Sequence, residues 1–356
     1  MNIIDYLKSY GEVSFLEEPF NECDALVFSM ISYFPFGVLE KPKKRYNAKT
    51  LFSRLEKYKE TSGNPRKEAL LLLLKLICTS NRYKGIRFFK YEKNKDENAF
   101  KQFQAVSVVL FDFVFVSFCG TDSSTTGWRE DLNMSCVDMV PSEVEAIRYI
   151  NEVNRFIFFK KLIIGGHSKG GRLSIRAAKN LKKKKHLTAV YNFDGPNFKP
   201  EFYDEEFKSI EPLIKEYAPN ESIIGRLFTA PQDIIVIASD RHLLNQHNAY
   251  SWQIEDKSFV REKGFTNRSN NIVLSINKAI GKYNDEVKQN FVDALFDLLE
   301  MLEIKDFSST EILTASLKYG VTQLPKKWKN IPKEDRDVLT KVLLSLIKEF
   351  IKASFS

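Results

Sequence analysis

The chain has 356 residues, enough for one large domain with an extension or for two domains. Hydrophobic residues make up 43% and charged residues 28%, an ordinary globular mix that excludes a wholly disordered or fibrous chain. The formal net charge of +8 would draw an anionic partner, a phospholipid surface or nucleic acid, only where cations gather on one face; the densest run, Lys182–Lys185, reads instead as a solvated helix end complementing the helix dipole.

From Met1 to about Lys101 the pattern is mostly helical. Ala25 to Ile31 is a compact apolar stretch, and Asn64-Pro65 starts a helix carrying the leucine run Ala69 to Cys78, which is expected to be buried. Strand signals then arrive together. Gln104 to Leu110 and Phe113 to Phe118, separated by Phe111-Asp112, predict a hairpin of two buried strands. Pro141 opens an amphipathic helix with Val144, Ile147, Tyr149 and Ile150 on its apolar side. Lys161 to Gly165 is a short buried strand, followed across a Gly-rich turn by a helix from Arg172 to Lys182. Further strands are expected at Leu187 to Phe193 and Ile234 to Ser239, with Tyr250 to Ile254 as a last one. Alternation at this spacing predicts a mostly parallel central sheet flanked by helices. Beyond about Phe265 only helices are expected, at Ile272 to Ile280, Val287 to Ile304 and Val338 to Ile351. The domain reading is therefore 1–265, of which 1–100 is a mostly helical N-terminal section, and a C-terminal helical extension at 266–356.

Cys23, Cys78, Cys119 and Cys136 lie far apart without metal-ligand spacing, so reduced core thiols are expected, with no metal and no cofactor. The first residues lack a signal-peptide pattern and the leucine run is about half the length of a bilayer span, so a cytoplasmic protein is expected.

The stretch Gly166-His167-Ser168-Lys169-Gly170, set between a strand and a helix, has the form of a turn that presents a nucleophilic serine. The glycines are needed because a side chain there would collide with the adjoining strand or helix. It lacks the spacing of a phosphate-binding loop. Of four histidines, His167 lies inside the turn and His186 in the lysine-rich run, which leaves His242 and His247 as bases, with His247 preferred. The orienting carboxylate should lie between nucleophile and base at a strand end, as Asp194 and Asp240 do; Asp194, before Gly195-Pro196, is preferred, and Glu221 and Asp233 are weaker. Backbone donors for an oxyanion are expected at Lys169, at the helix start, and at Thr121, after the strand ending at Gly120.

Val116 to Thr121, Trp128, Asp131-Leu132 and Gly166 to Gly171 resemble the ordered motifs of the class 3 lipases. A closer resemblance is to a bacterial family of uncharacterised α/β-hydrolases related to those lipases, carried by Gly127 to Asp131, Gly166 to Gly171, Asn192 to Pro196 and Gln246 to Trp252, over roughly residues 1 to 260. The resemblance implies an α/β-hydrolase fold, Ser168 as nucleophile, His247 as base, and Thr121 with Lys169 as oxyanion donors. Two positions depart from the lipase pattern. Asn220 to Gly225 stands where the catalytic aspartate is expected, so Asp194 is the natural substitute, and Cys119 stands where arginine is usual.

The expected function is a serine hydrolase cleaving a carboxylic ester, lipid or acyl ester, through an acyl-enzyme on Ser168. The partners expected are that substrate and a peripheral membrane contact, with no nucleic acid. The alternative is a non-catalytic member of the fold that binds a ligand or partner through the same cleft.

Overall fold

A computed structural model describes residues 1–302 apart from 35, 39–45, 58–64, 158 and 229–232, and beyond 302 only positions 304, 329, 332–334, 336–337 and 340–341. Its centre is an eight-stranded sheet in the order β1 (Tyr46–Asn47), β2 (Arg87–Asp96), β3 (Lys101–Leu110), β4 (Phe113–Phe118), β5 (Lys161–His167), β6 (Leu187–Phe193), β7 (Ile214–Pro219) and β8 (Ile235–Ile237). β3 and β4 form the expected antiparallel pair, and from β4 to β8 each strand runs parallel to the next. The fold is mixed α/β with a mostly parallel sheet.

Side chains alternate along the central strands, which buries both faces of the sheet. Phe113, Phe115, Ile163, Tyr191 and Phe193 belong to one core with residues of α1 (Ile3–Tyr10), α2 (Glu22–Ile31), α3 (Ala48–Lys57) and α4 (Pro65–Thr79). Val114, Val116, Phe118, Leu162, Ile164 and Val190 belong to a second with α6 (Pro141–Asn154) and α7 (Lys169–Lys179). The first two helices start where Asn2 and Asn21 close capping boxes with Asp5 and Asp24. Asp24 then serves a second purpose: fully buried, it accepts from Arg82 Nε at 2.8 Å and from the hydroxyls of Tyr6 and Tyr83. Burial, reinforced by this carboxylate, pushes both tyrosines up.

Several sequence expectations are corrected. β2 and β7 form where the apolar pattern predicts no strand, and α7 runs from Lys169 to Lys179 rather than from Arg172 to Lys182. On α6, Val144 is exposed and Glu143 is buried instead, paired with Arg172 at 2.9 Å and Arg176 at 3.3 Å. The leucine run buries Leu73, Leu74 and Ile77 but exposes Leu71 and Leu72. In place of a strand from Tyr250 to Ile254 there is a 3-10 turn at Ala249–Ser251, a bridge from Ser239 to Trp252, and a short hairpin of β9 (Ile254–Glu255) with β10 (Ser258–Phe259). The helix expected from Val338 to Ile351 falls almost wholly outside the described residues. None of the four cysteines forms a disulfide; burial pushes the Cys78 thiol up to about 12 and Cys23 further.

The chain divides into two compact units, the first formed by Met1–Asn94, Phe103–Gly120 and Glu143–Thr266, the second by Lys95–Gln102, Thr121–Ser142 and Asn267–Ser356. In the second, α5 (Thr125–Asn133) packs against α10 (Asp285–Met301), with Arg129 paired to Asp293 at 2.7 Å. Two further helices are α9 (Asn267–Gly281) and the four-residue α8 (Glu205–Lys208). Among the described residues, no helix is long and apolar enough to cross a membrane.

Candidate active site

β5 ends at His167 and α7 begins at Lys169, so Ser168 alone makes the turn. Its backbone sits at φ 60°, ψ −135°, a region that a residue with a side chain enters only when its surroundings force it. The surroundings do so from both sides. A methyl group on Gly166 would collide with the Gly170 carbonyl, and one on Gly170 would collide with the Phe118 carbonyl. The Ser168 N–H donates to the Phe193 carbonyl at 2.9 Å, and its own carbonyl accepts from Gly171 N–H at 2.8 Å. Ser168 provides no side-chain cap for the helix that follows, and the residue is half-buried. Lys169 occupies the first position of α7, at the positive end of the helix dipole.

Asp194 follows β6 in the left-handed region, at φ 55°, a conformation that aspartate tolerates better than most side chains. The Asn192 side chain closes this turn by accepting from Gly195 N–H at 2.9 Å. Asp194 is buried, and its Oδ1 accepts from the Ser222 hydroxyl at 2.5 Å and from Gly225 N–H at 3.2 Å. Its other oxygen, Oδ2, lies 2.7 Å from His247 Nδ1. A carboxylate can only accept, so Nδ1 carries a proton, and in the neutral ring Nε2 keeps a lone pair. The segment Asn220 to Gly225, which departs from the lipase pattern, therefore supplies donors to Asp194 rather than a carboxylate of its own.

Three neighbours fix the loop that carries His247. Its carbonyl accepts from His167 Nε2 at 2.8 Å, and the two imidazole rings are 4.7 Å apart. The Gln246 carbonyl accepts from Trp252 Nε1 at 2.7 Å, and the Gln246 side chain accepts from Glu221 N–H at 2.8 Å. At the far side of His167, Nδ1 lies 3.0 Å from the Tyr33 hydroxyl. With Nε2–H given to a carbonyl, a neutral His167 accepts the Tyr33 proton at Nδ1. Tyr33 has no signal in the sequence; Ser222 and Gly225 have one, since they lie in the segment that replaces the lipase aspartate.

The other candidates lie elsewhere. Asp240 is exposed beside Arg241, and Asp233 is exposed. His242 is 87% exposed, with Nδ1 3.3 Å from Glu221, whose Oε2 also accepts from Leu243 N–H. His186 sits before β6, at the end of that strand opposite Asp194. Thr121, the first residue of the second unit's middle segment, donates its hydroxyl to Asp131 Oδ2 at 2.5 Å. The neighbouring Glu130 is fully buried and accepts from the backbone N–H groups of Gln102 at 3.0 Å and Ser142 at 2.7 Å. The motif Gly127 to Asp131 is thus an anchor for the polar loop that begins at Thr121. Among the described residues, no group of acidic, histidine or cysteine side chains is arranged to hold a metal ion.

A mostly parallel sheet with helices on both faces defines a mixed α/β protein, and it carries a serine in a strained strand-to-helix turn and a histidine bound by a buried aspartate. The family model for Mbeg1-like proteins matches residues 77–297, more than half of the chain, and the chain belongs to that family. The family is associated with proteins related to the class 3 lipases. The match omits the first 76 residues, which the sequence resemblance includes, and takes in α9 and most of α10. No curated protein matches the chain.

Proposed function

We propose that the protein is a serine hydrolase of the α/β-hydrolase fold that cleaves a carboxylic ester, with lipid or acyl esters as the favoured class. Ser168 Oγ attacks the carbonyl carbon while His247 Nε2 takes its proton, and Asp194 stabilises the resulting imidazolium through Nδ1–H. The negative charge that develops on the carbonyl oxygen is met by the Lys169 N–H at the head of α7, and the family resemblance assigns the Thr121 N–H as second donor. Collapse expels the alcohol, which takes the proton from His247. Water activated by the same imidazole then frees the acid and restores Ser168.

The observation that carries this reading is the conjunction of a serine at φ 60° between β5 and α7 with the 2.7 Å contact of His247 Nδ1 and Asp194. Strain at a single residue persists only where surrounding packing maintains it, and such strain concentrates at functional turns. A non-catalytic binding role would not require an imidazole oriented by a buried carboxylate. The test is covalent labelling with a fluorophosphonate. Native protein is expected to label, and Ser168→Ala to lose the label while keeping its circular dichroism spectrum and melting temperature. A native protein that stays unlabelled under forcing probe concentrations overturns the reading.

A further inference from the structure

β4, β5 and β6 begin side by side, since Phe113 is in register with Lys161 and Leu162 with Leu187. The segments that lead into these strands therefore share one edge of the sheet, opposite the edge that carries Ser168 and Asp194. Three phenylalanines stand out there: Phe111 and Phe156 are each 70% exposed and Phe159 is 98% exposed. Leu16, 96% exposed, follows Phe15, whose ring packs on Phe113 at the start of β4. Large apolar side chains this bare, gathered at one edge, mark an interaction surface rather than scattered exposure.

The same edge is basic. Hydrogen bonds from the Asn154 amide to the Lys183 carbonyl and from Lys182 N–H to Asn151 Oδ1 tie the lysine run to the end of α6. Phe156 and Phe159 are thereby set beside Lys182, Lys183 and Lys185, with Arg155 and Lys160 in the same segment as the two rings. Two acids of this edge are neutralised by lysines, Asp112 by Lys161 and Glu206 by Lys184, while Glu17 keeps its charge and accepts from the Ser14 hydroxyl.

We propose that this edge docks on an anionic lipid bilayer, with Phe156, Phe159 and Phe111 entering the interface and the surrounding cations resting on lipid phosphates. Phenylalanine has no group with which to bind a phosphate. Its bare exposure is relieved by acyl chains, while lysine and arginine stems reach from apolar surface to charged headgroups. A nucleic acid duplex, with its bases stacked on one another, would satisfy the cations and leave these rings largely in water. Docking here turns Ser168 away from the bilayer, so it tethers the protein without presenting the candidate site to the lipid beneath. It stands whether or not Ser168 is a nucleophile.

The experiment is sedimentation of the full chain with vesicles of phosphatidylcholine alone or with one third phosphatidylserine. The native chain is expected to sediment with the anionic vesicles and to be released by added salt. Phe156→Ser/Phe159→Ser is expected to weaken partitioning at least about tenfold, because each buried ring contributes to binding. Lys182→Gln/Lys183→Gln/Lys185→Gln should abolish the preference for phosphatidylserine, and Ser168→Ala should bind as the native chain does. All substituted side chains in the two docking variants are at the surface, and circular dichroism checks their folding. Failure of the native chain to bind either vesicle overturns the proposal. So does undiminished binding by the phenylalanine variant, or retention on duplex DNA that the phenylalanine substitutions leave unchanged.

Discussion

Two pairs of carboxylate and imidazole take their histidines from one loop, and they differ in almost every physical respect. Asp194 and His247 meet at 2.7 Å with side chains 1% and 25% exposed, whereas Glu221 and His242 meet at 3.3 Å with 14% and 87% exposed. The first acid has two further donors on its other oxygen, and the first base has its backbone carbonyl held by His167. His242 stands in water, where screening leaves an ion pair worth little. Proximity of residue types in sequence does not separate these pairs. The surrounding donors and the exclusion of water do.

That contrast can be broken most severely at the oriented pair. With an ester substrate of measurable turnover, Asp194→Asn is expected to lower kcat about 10³–10⁴-fold, because the amide no longer favours the tautomer with Nε2 as acceptor. His247→Gln should fall into the same range, and neither variant should add to the loss in Ser168→Ala, since the three act as a unit. Gly225→Ala tests the cradle. An added methyl would collide with Asp194 Oδ1, so the carboxylate must shift, and a kcat loss of roughly tenfold or more is expected with substrate binding little changed.

Ser222→Ala is gentler, because it removes one charge-assisted hydrogen bond and leaves the Gly225 donor in place. A bond of this kind contributes about 1.5–3 kcal/mol, so the expected loss in kcat/KM is at most about 10²-fold. The smallest effect belongs to the exposed imidazole. His242→Gln should leave kcat/KM within about twofold of the native value, as surface changes away from special features usually do. A large loss in His242→Gln, with His247→Gln near native, would reverse the assignment of the base.

Legibility in the sequence depends on whether a feature is governed by apolar pattern or by polar pairing. β4, β5 and β6 are continuous apolar runs and read as strands; the serine turn between β5 and α7 is marked by its glycines. β7 escapes because Ile214-Lys215-Glu216-Tyr217-Ala218-Pro219 looks like a loop, yet Glu216 is buried there with its carboxylate taken by the Asn197 amide at 3.0 Å. β2 escapes for a related reason. Of its residues only Phe88 is buried, and its charged side chains find partners on α6, such as Lys90 with Glu152 at 2.7 Å. The inward face of α6 differs at one position because hydrophobicity favours Val144 inward, while the arginines of α7 draw Glu143 in.

At the site, the order of serine, acid and histidine is legible, and so is the turn that aims Asp194. The donors on Asp194 and the grip of His167 on the His247 loop are not, because they join segments far apart in the chain. The exposure of Phe156 and Phe159 is equally hidden, since an apolar residue before a strand is ordinarily taken as core.

Glu130 binds the amides of Gln102 and Ser142, and those two residues are the last of their segments before the chain returns to the first unit. One buried carboxylate thus serves as a clasp on two distant exits of the second unit's chain. Weakening that clasp, as Glu130→Gln does, should let both amides exchange with deuterium together, although they lie far apart along the polypeptide. A segment gathered by one clasp accepts inserted residues between its ends at small entropic cost.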